Sequence, residues 1–147
     1  MNLIDTSVID DILKNRHHLN DIFYFTPCVQ EESEVTELIH EYQLTAKVKE
    51  IINYQYFNEG RYLHYYLKML NKHGDRSFFN MTGFGDISIL SAIHAVLESY
   101  ENEITLFPRQ ETIKVFTNDN GIKKKIVSEF NKRNVKIGDI ADFIKNQ

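Results

Sequence analysis

The feature that most constrains the fold is the alternation of short apolar runs with stretches of helical periodicity. Runs that are typical of strands lie at residues 3–4, 22–25, 112–116 and 135–137. Stretches in which apolar residues recur at helical spacing separate these runs. The alternation predicts an α/β fold in which parallel strands are joined by right-handed helical crossovers. We expect helices on both faces of the sheet.

The longest predicted helical stretch covers residues 45–73, with a break near Asn58-Glu59-Gly60. We interpret residues 45–75 as a helical insertion within one domain that spans residues 1–147. The weak segment 76–81 is a candidate for a further strand. Another helix is expected to begin at Thr26-Pro27, where the threonine hydroxyl can cap the first turn and proline needs no backbone donor.

Composition restricts the classes of function and the compartment. The formal net charge of −4 disfavours a protein that coats nucleic acid through bulk charge. The chain has no apolar run long enough to span a membrane, and its first residues lack the basic region and apolar core of a signal peptide. The single cysteine, Cys28, excludes an intramolecular disulfide and fits a reducing environment. We therefore expect a cytoplasmic protein.

Four acidic positions lie next to predicted strand or helix ends. Asp5 follows the first apolar run, and Asp119 follows the strand at residues 112–116. Glu32 and Asp86 lie near predicted helix starts. Because the carboxyl ends of parallel strands and the starts of the following helices share one edge of a sheet, we expect all four side chains at that edge.

Carboxylates that converge in this way favour a bound cation. At an effective dielectric constant near 20, one pair about 4 Å apart costs on the order of 4 kcal/mol. Mg²⁺ or Mn²⁺ removes this repulsion, accepts oxygen ligands and keeps several waters. A metal-bound water is more acidic than bulk water and can attack phosphorus. The pattern therefore predicts metal-dependent hydrolysis of phosphodiesters.

Four segments resemble, in order, the acidic motifs of PIN-domain nucleases: residues 3–9, 26–32, 83–90 and 116–119. The size of the chain is similar to that of the single-domain bacterial type, as in VapC-like toxins. The resemblance implies a magnesium-dependent endoribonuclease with a parallel sheet of about five strands. RNA is the implied substrate, and the size alone suggests a toxin with an antitoxin protein as its partner.

The resemblance also implies roles for individual residues. Thr117 and Ser7 would orient the carboxylates or the attacking water through hydrogen bonds. Glu31 competes with Glu32 for the second acidic position, because a shift of one residue would exchange them. The residues implied to hold the metal ion or its water shell are Asp5, Glu32, Asp86 and Asp119.

Each of these features has a structural alternative. Asp5 and Asp86 could cap helices, and Asp119 could belong to a turn. A PIN-like module that binds RNA or protein with little catalysis is the main functional alternative. A phosphatase on a parallel sheet is disfavoured, because that class often uses an Asp-x-Asp motif and Asp5-Thr6-Ser7 lacks the second acid.

Basic and aromatic clusters could contact RNA. Residues 123–125 and 132–133 could bind phosphates near Asp119, although a solvated helix face is the simpler interpretation for any one lysine. A second basic group contains Arg61, Lys68, Lys72 and Arg76. One group of aromatic residues could stack unpaired bases, or pack instead in the core or in a homodimer contact; its members are Tyr54, Tyr56, Phe57, Tyr62, Tyr65 and Tyr66.

Two further side chains have structural interpretations. His94 lies within a predicted helix and is expected to be a half-buried residue with a satisfied hydrogen bond. Cys28 is expected to be a small buried helix residue, because the sequence specifies no histidine that would activate its thiol. Neither is assigned a role in catalysis or metal binding.

Overall fold

The computed structural model describes residues 1–32, 35–73, 84–103, 106 and 111–146, without the side chains of residues 30–32 and 73. The strands are β1 (Asn2–Ile4), β2 (Phe23–Phe25), β3 (Val48–Glu50), β4 (Ile113–Phe116) and β5 (Val135–Gly138). The helices are α1 (Ile9–Lys14), α2 (Pro27–Glu32), α3 (Val35–Glu41), α4 (Glu59–His73), α5 (Gly85–Glu101), α6 (Asn120–Glu129) and α7 (Ile140–Lys145). Short 3₁₀ turns cover Thr6–Val8, Arg16–His18 and Ile51–Asn53.

The strands form one five-stranded sheet in the order β3-β2-β1-β4-β5, and every neighbouring pair is parallel. The chain moves in one direction across the sheet from β1 to β3 and in the other direction from β4 to β5. Right-handed crossovers that travel in opposite directions place their helices on opposite faces. The prediction of an α/β fold with a five-stranded parallel sheet and helices on both faces is therefore confirmed.

The predicted strands correspond to β1, β2, β4 and β5. The residues of β1, β2 and β4 are mostly buried, whereas those of the edge strand β5 are half-buried or exposed. Leu3, Phe23 and Val115 have no exposed surface. Strands that helices cover on both faces read as continuous apolar runs, which explains why β1, β2 and β4 could be recognised in the sequence. Gly138 in β5 allows a close approach, because a Cβ atom there would overlap the ring of Phe116.

The prediction that residues 45–73 are helical throughout is wrong for their first part. β3 lies in this stretch and pairs with β2 as the edge strand of the sheet. Only Val48 of its three residues is buried, so no apolar run marked it. The predicted insertion at 45–75 is helical from Glu59 to His73. The candidate strand at residues 76–81 lies outside the described residues.

The segment after Pro27 contains two described helices, α2 and α3, where one helix was expected. Val29 of α2 and Val35 and Ile39 of α3 are buried, whereas Tyr42, which follows α3, is 39 % exposed. α5 is buried along most of its length because it packs against both α4 and α2. Within the described ranges, none of the helices has the length and apolar character that crossing a bilayer requires.

Candidate functional site

The candidate site lies at the carboxyl edge of the sheet, where the strand order reverses. The register pairs Ile4 of β1 with Phe25 of β2 and with Phe116 of β4. The residues that directly follow these strand ends are Asp5, Thr26 and Thr117, so they form the next row across the edge. β1 and β4 are neighbours whose crossovers leave in opposite directions. Open α/β sheets bind ligands outside such a switch point.

Asp5 is a buried carboxylate whose contacts are neutral hydroxyl groups. Its side-chain Oδ2 accepts hydrogen bonds from Ser7 Oγ and Thr117 Oγ1, both at 2.8 Å, and Oδ1 accepts a longer one of 3.4 Å from Thr6 Oγ1. Asp5 is 6 % exposed. It precedes the 3₁₀ turn at Thr6–Val8, yet its side chain makes no capping hydrogen bond. The alternative that Asp5 is a helix cap is therefore wrong for its side chain.

Thr117 connects Asp5 to Asp119. Its Oγ1 donates to Asp5 Oδ2 and accepts a hydrogen bond of 3.1 Å from the backbone N of Asp119. Asp119 Oδ1 accepts a hydrogen bond of 2.6 Å from the backbone N of Gly121, which caps α6. Asp119 is therefore a helix cap, whereas its structural alternative was a plain turn. It is also linked through the Thr117 hydroxyl to the buried Asp5.

Asn118 holds the two sides of this edge together, and the sequence did not indicate this role. Its backbone N donates to Ser7 Oγ at 2.8 Å, and its Nδ2 donates to the Ser7 carbonyl at 3.0 Å and to Asp11 Oδ2 at 3.2 Å. These contacts join the start of the chain to the loop before α6. Asparagine is common in loops, so no local signal separates this residue from an ordinary turn residue.

Asp86 lies in the first turn of α5 and is 8 % exposed. The prediction that it caps this helix is wrong, because Phe84 occupies the cap position and no side chain caps the helix there. Burial lowers the pKa of the Lys125 ammonium on α6, and the charge of Asp86 opposes that shift. The Asp86 carboxylate is therefore near enough to this ammonium, on the helix that begins just after Asp119, for the two charges to interact.

The second acidic motif is only partly described. Glu31 and Glu32 close the six-residue helix α2, so they lie in its last turn and not near its start. The side chains of these two residues are outside the described part of the chain, and so are the contacts predicted for them. Thr26 was expected to cap this helix, but its Oγ1 is buried and has no hydrogen-bond partner within the described structure.

The donor set of the edge fits a hard divalent cation. Asp5 and Asp119 supply carboxylate oxygens, and Thr26 adds a buried hydroxyl oxygen beside Asp5 in the row. No lysine, arginine or histidine of the described ranges forms an ion pair with Asp5. Among the described residues, no three His, Cys, Asp or Glu side chains form a group that could hold a metal ion. Mg²⁺ typically needs only one or two carboxylates, because it keeps several waters.

The predicted basic clusters have different positions. Asn134 follows Arg133, and its carbonyl accepts from the first residue of β4, so residues 132–133 lie at the amino edge of the sheet, opposite Asp119. These two residues therefore do not lie near Asp119, where they could have contacted RNA phosphates. In the second group, Arg61 pairs with Glu98 at 3.5 Å and Lys72 with Glu129 at 2.9 Å. Arg76 of that group lies outside the described residues.

Most of the predicted aromatic group packs against the core. The hydroxyl groups of Tyr54 and Tyr100 are hydrogen-bonded to each other, and each hydroxyl oxygen lies 3.2 Å from Glu111 Oε2. Burial is the main cause that raises the pKa of both phenols. Two α4 phenols contact neighbouring helices: Tyr62 with Ser88 Oγ at 2.7 Å, and Tyr66 with Cys28 Sγ at 3.8 Å. Thus α4 helps to position α2 and α5, which carry the second and third acidic motifs.

His94 is a satisfied half-buried residue, as predicted. Its Nε2 lies 2.9 Å from Glu129 Oε1, and its ring stacks on Tyr65 with centroids 4.8 Å apart. Burial lowers the pKa of His94, although Glu129 opposes the shift. Burial alone would raise the pKa of Glu129, but hydrogen bonds from Lys72 and His94 outweigh that effect and lower it.

Comparisons with known proteins add no relative. No protein-family model matches this chain, and no curated protein matches it in sequence. The order of the four acidic motifs and the geometry of the carboxyl edge are the features of this chain that bear on its function.

Proposed function

We propose that this chain is a PIN-like endoribonuclease that uses Mg²⁺ or Mn²⁺ to hydrolyse phosphodiester bonds in single-stranded or looped RNA. One observation carries the proposal: a buried carboxylate, Asp5, is hydrogen-bonded to Thr117 at the point where the strand order reverses. In open α/β sheets, ligands bind at this point, and the hydroxyl groups around Asp5 orient its carboxylate without cancelling its charge.

In this proposal, each residue of the carboxyl edge would have its own role. A bound divalent cation would supply an acidified water and stabilise charge on the phosphoryl oxygens. Asp5 and Asp119 would hold the ion or its water shell. Ser7 and Thr117 donate to Asp5 Oδ2 and so fix the direction of its carboxylate. Glu32 and Asp86 would complete the acidic edge, with the Asp86 charge partly balanced by Lys125.

The proposal extends to compartment and partner. RNA is the substrate, the cytoplasm is the expected compartment, and the chain acts as the toxin of a toxin–antitoxin pair. The four motifs support the nuclease class, whereas only the size of the chain supports the toxin assignment. A small adjacent reading frame that encodes an antitoxin would support the pairing.

A cleavage assay tests the proposed activity. Purified protein should cleave unstructured RNA in the presence of Mg²⁺ or Mn²⁺ and should not do so after chelation with EDTA. Asp5→Asn and Asp119→Asn should abolish cleavage while circular dichroism shows a folded protein. Asparagine is a good helix cap, so Asp119→Asn should keep the start of α6 intact. Full activity in both variants would refute the proposal.

A binding module with little catalysis is the second candidate. One observation favours it: the described residues contain no group of three potential metal-ligand side chains. Such a module would bind RNA or protein with the same affinity in EDTA and in Mg²⁺, and it would leave RNA intact. The cleavage assay and a metal titration together separate it from the nuclease.

A further inference from the structure

An apolar cleft of about 250 Å³ lies at the carboxyl edge of the sheet, on the side of β3. Its walls come from the residues that follow β2 and β3 and from the start of α4. The apolar residues that line it are Pro27, Ile51, Ile52, Phe57, Tyr62 and Leu63. Ile52 is 51 % exposed and Leu63 is 57 % exposed, so apolar surface is open to solvent here.

The cleft shares the edge of the sheet with the candidate site. Because Phe25 pairs with Glu50, Ile51 continues the row that contains Thr26 and Asp5. Ile51 and Asp5 follow strands that are two positions apart in the sheet, which corresponds to about 10 Å at the usual strand spacing. Neighbouring nucleotides of one strand can span such a distance. A base held in the cleft would therefore belong to the RNA whose phosphate lies at Asp5.

The chemistry of the cleft favours a base over a phosphate. The rings of Phe57 and Tyr62 lie at its wall, with centroids 5.4 Å apart and planes tilted by 50°. Aromatic side chains stack unpaired bases of any sequence. Two carboxylates, Glu50 and Glu59, also line the cleft. Their negative charge repels the phosphate backbone, whereas the exocyclic amino group of a base can donate to a carboxylate.

We propose that this cleft binds one unpaired nucleobase of the substrate RNA, close to the bond that is cleaved. This assignment depends on the proposed function, because it takes RNA as the ligand of the same edge. It separates the predicted aromatic group into two sets. Phe57 and Tyr62 line the cleft, whereas Tyr54 belongs to the hydrogen-bonded cluster with Tyr100 and Glu111.

The test compares two RNA probes and two matched variants. Leu63→Glu places a charge in the cleft. Leu67→Glu places the same charge one turn further along α4, at a residue that is similarly exposed (55 %) and does not line the cleft. Both changes are made in full-length Asp5→Asn protein, so that the probes stay intact. Binding is measured by fluorescence anisotropy with a labelled mixed-sequence RNA and with an abasic oligonucleotide of the same length.

Leu63→Glu should weaken binding of the mixed-sequence RNA about tenfold relative to Leu67→Glu, the order expected for the loss of one stacked base. The two variants should bind the abasic oligonucleotide equally. Equal affinity of both variants for the mixed-sequence RNA would overturn the assignment and leave the cleft to another ligand, such as a side chain of a protein partner. Failure of the proposed function gives a different result: wild-type protein then leaves RNA intact in Mg²⁺, whatever the outcome of the binding test.

Discussion

Two regions of this molecule stabilise carboxylates in different ways. At the carboxyl edge, Asp5 accepts its hydrogen bonds from hydroxyl groups of Ser7, Thr6 and Thr117. On the face formed by α4, α5 and α6, Glu98 and Glu129 pair with cationic side chains. Hydroxyl groups orient a carboxylate but leave its charge in place, whereas an ion pair cancels it.

We connect the first region with the proposed function and the second with the stability of the fold. A buried charge without a paired cation is costly, and the cost falls when a cation is supplied from solution. The carboxyl edge therefore suits an exchangeable ion. The ion pairs on the helical face are satisfied within the protein and hold three helices together. Asp86 lies between these extremes, because its charge acts on the buried ammonium of Lys125, which comes from α6.

The largest effect is expected from Asp5→Asn. Cleavage should fall by roughly 100-fold or more, because the change removes charge that would hold the metal ion. Without metal, the variant should be at least as stable as the wild type, since a buried charge is lost while the amide can still bond to Ser7 and Thr117. Asp10→Asn, an exposed change of equal charge on α1, is the control. If denaturant unfolding without metal shows that Asp5→Asn is less stable than the wild type, the contrast between the carboxyl edge and the helical face is wrong.

Thr117→Val should have the next largest effect. It keeps the shape of the side chain but removes the donor to Asp5 and the acceptor for the Asp119 backbone N. We expect a loss of about 2 kcal/mol in unfolding free energy, together with weaker binding of Mn²⁺. Thr117→Ser restores the hydroxyl and should recover both properties. If serine and valine behave alike, the hydroxyl does not position Asp5.

Glu129→Gln should affect stability alone. The change removes the negative partner of Lys72 and His94. Because the ammonium of Lys72 is half-exposed, the expected cost is about 1 kcal/mol, or roughly 2–4 °C in melting temperature. RNA cleavage at a temperature well below melting should not change. A variant of normal stability and reduced cleavage would assign this face to function.

The smallest expected effect is a pH dependence from His94. Burial lowers its pKa in the folded state, so the unfolded chain takes up the proton first as the pH falls. The contribution to stability is therefore complete above about pH 6.5 and is lost as the pH falls below that value. His94→Gln should reduce the loss of stability between pH 7.5 and 5. Equal losses in the two proteins would exclude His94 as a source of pH dependence.

The parts of the fold that could be predicted from the sequence are those in which buried residues form an apolar pattern. β1, β2 and β4 are largely buried and read as apolar runs, whereas β3 has one buried residue, Val48, and was taken for helix. The helix after Pro27 was predicted, but the Thr26 hydroxyl that was expected to cap it bonds to no described group. Capping depends on side-chain direction, which composition and spacing do not specify.

The site residues that could be predicted are those that come directly after the end of a strand. Asp5 and Thr117 are the first residues after β1 and β4, so topology alone places them side by side. The contacts of Asn118 with Ser7 and Asp11 join residues more than one hundred positions apart in the chain. Such contacts depend on the strand register and on loop conformation, and no local pattern encodes them. The same reason explains why Lys125 was assigned to a solvated face or to RNA contact.

Isothermal titration calorimetry with Mn²⁺ tests the central claim most directly, because it measures ion binding without any assumption about the substrate. Wild-type protein should bind the ion, and Asp5→Asn should lose that binding while Glu129→Gln keeps it. Absence of any binding heat in the wild-type protein, or equal binding in the wild type and Asp5→Asn, would contradict a cation site at the carboxyl edge of the sheet.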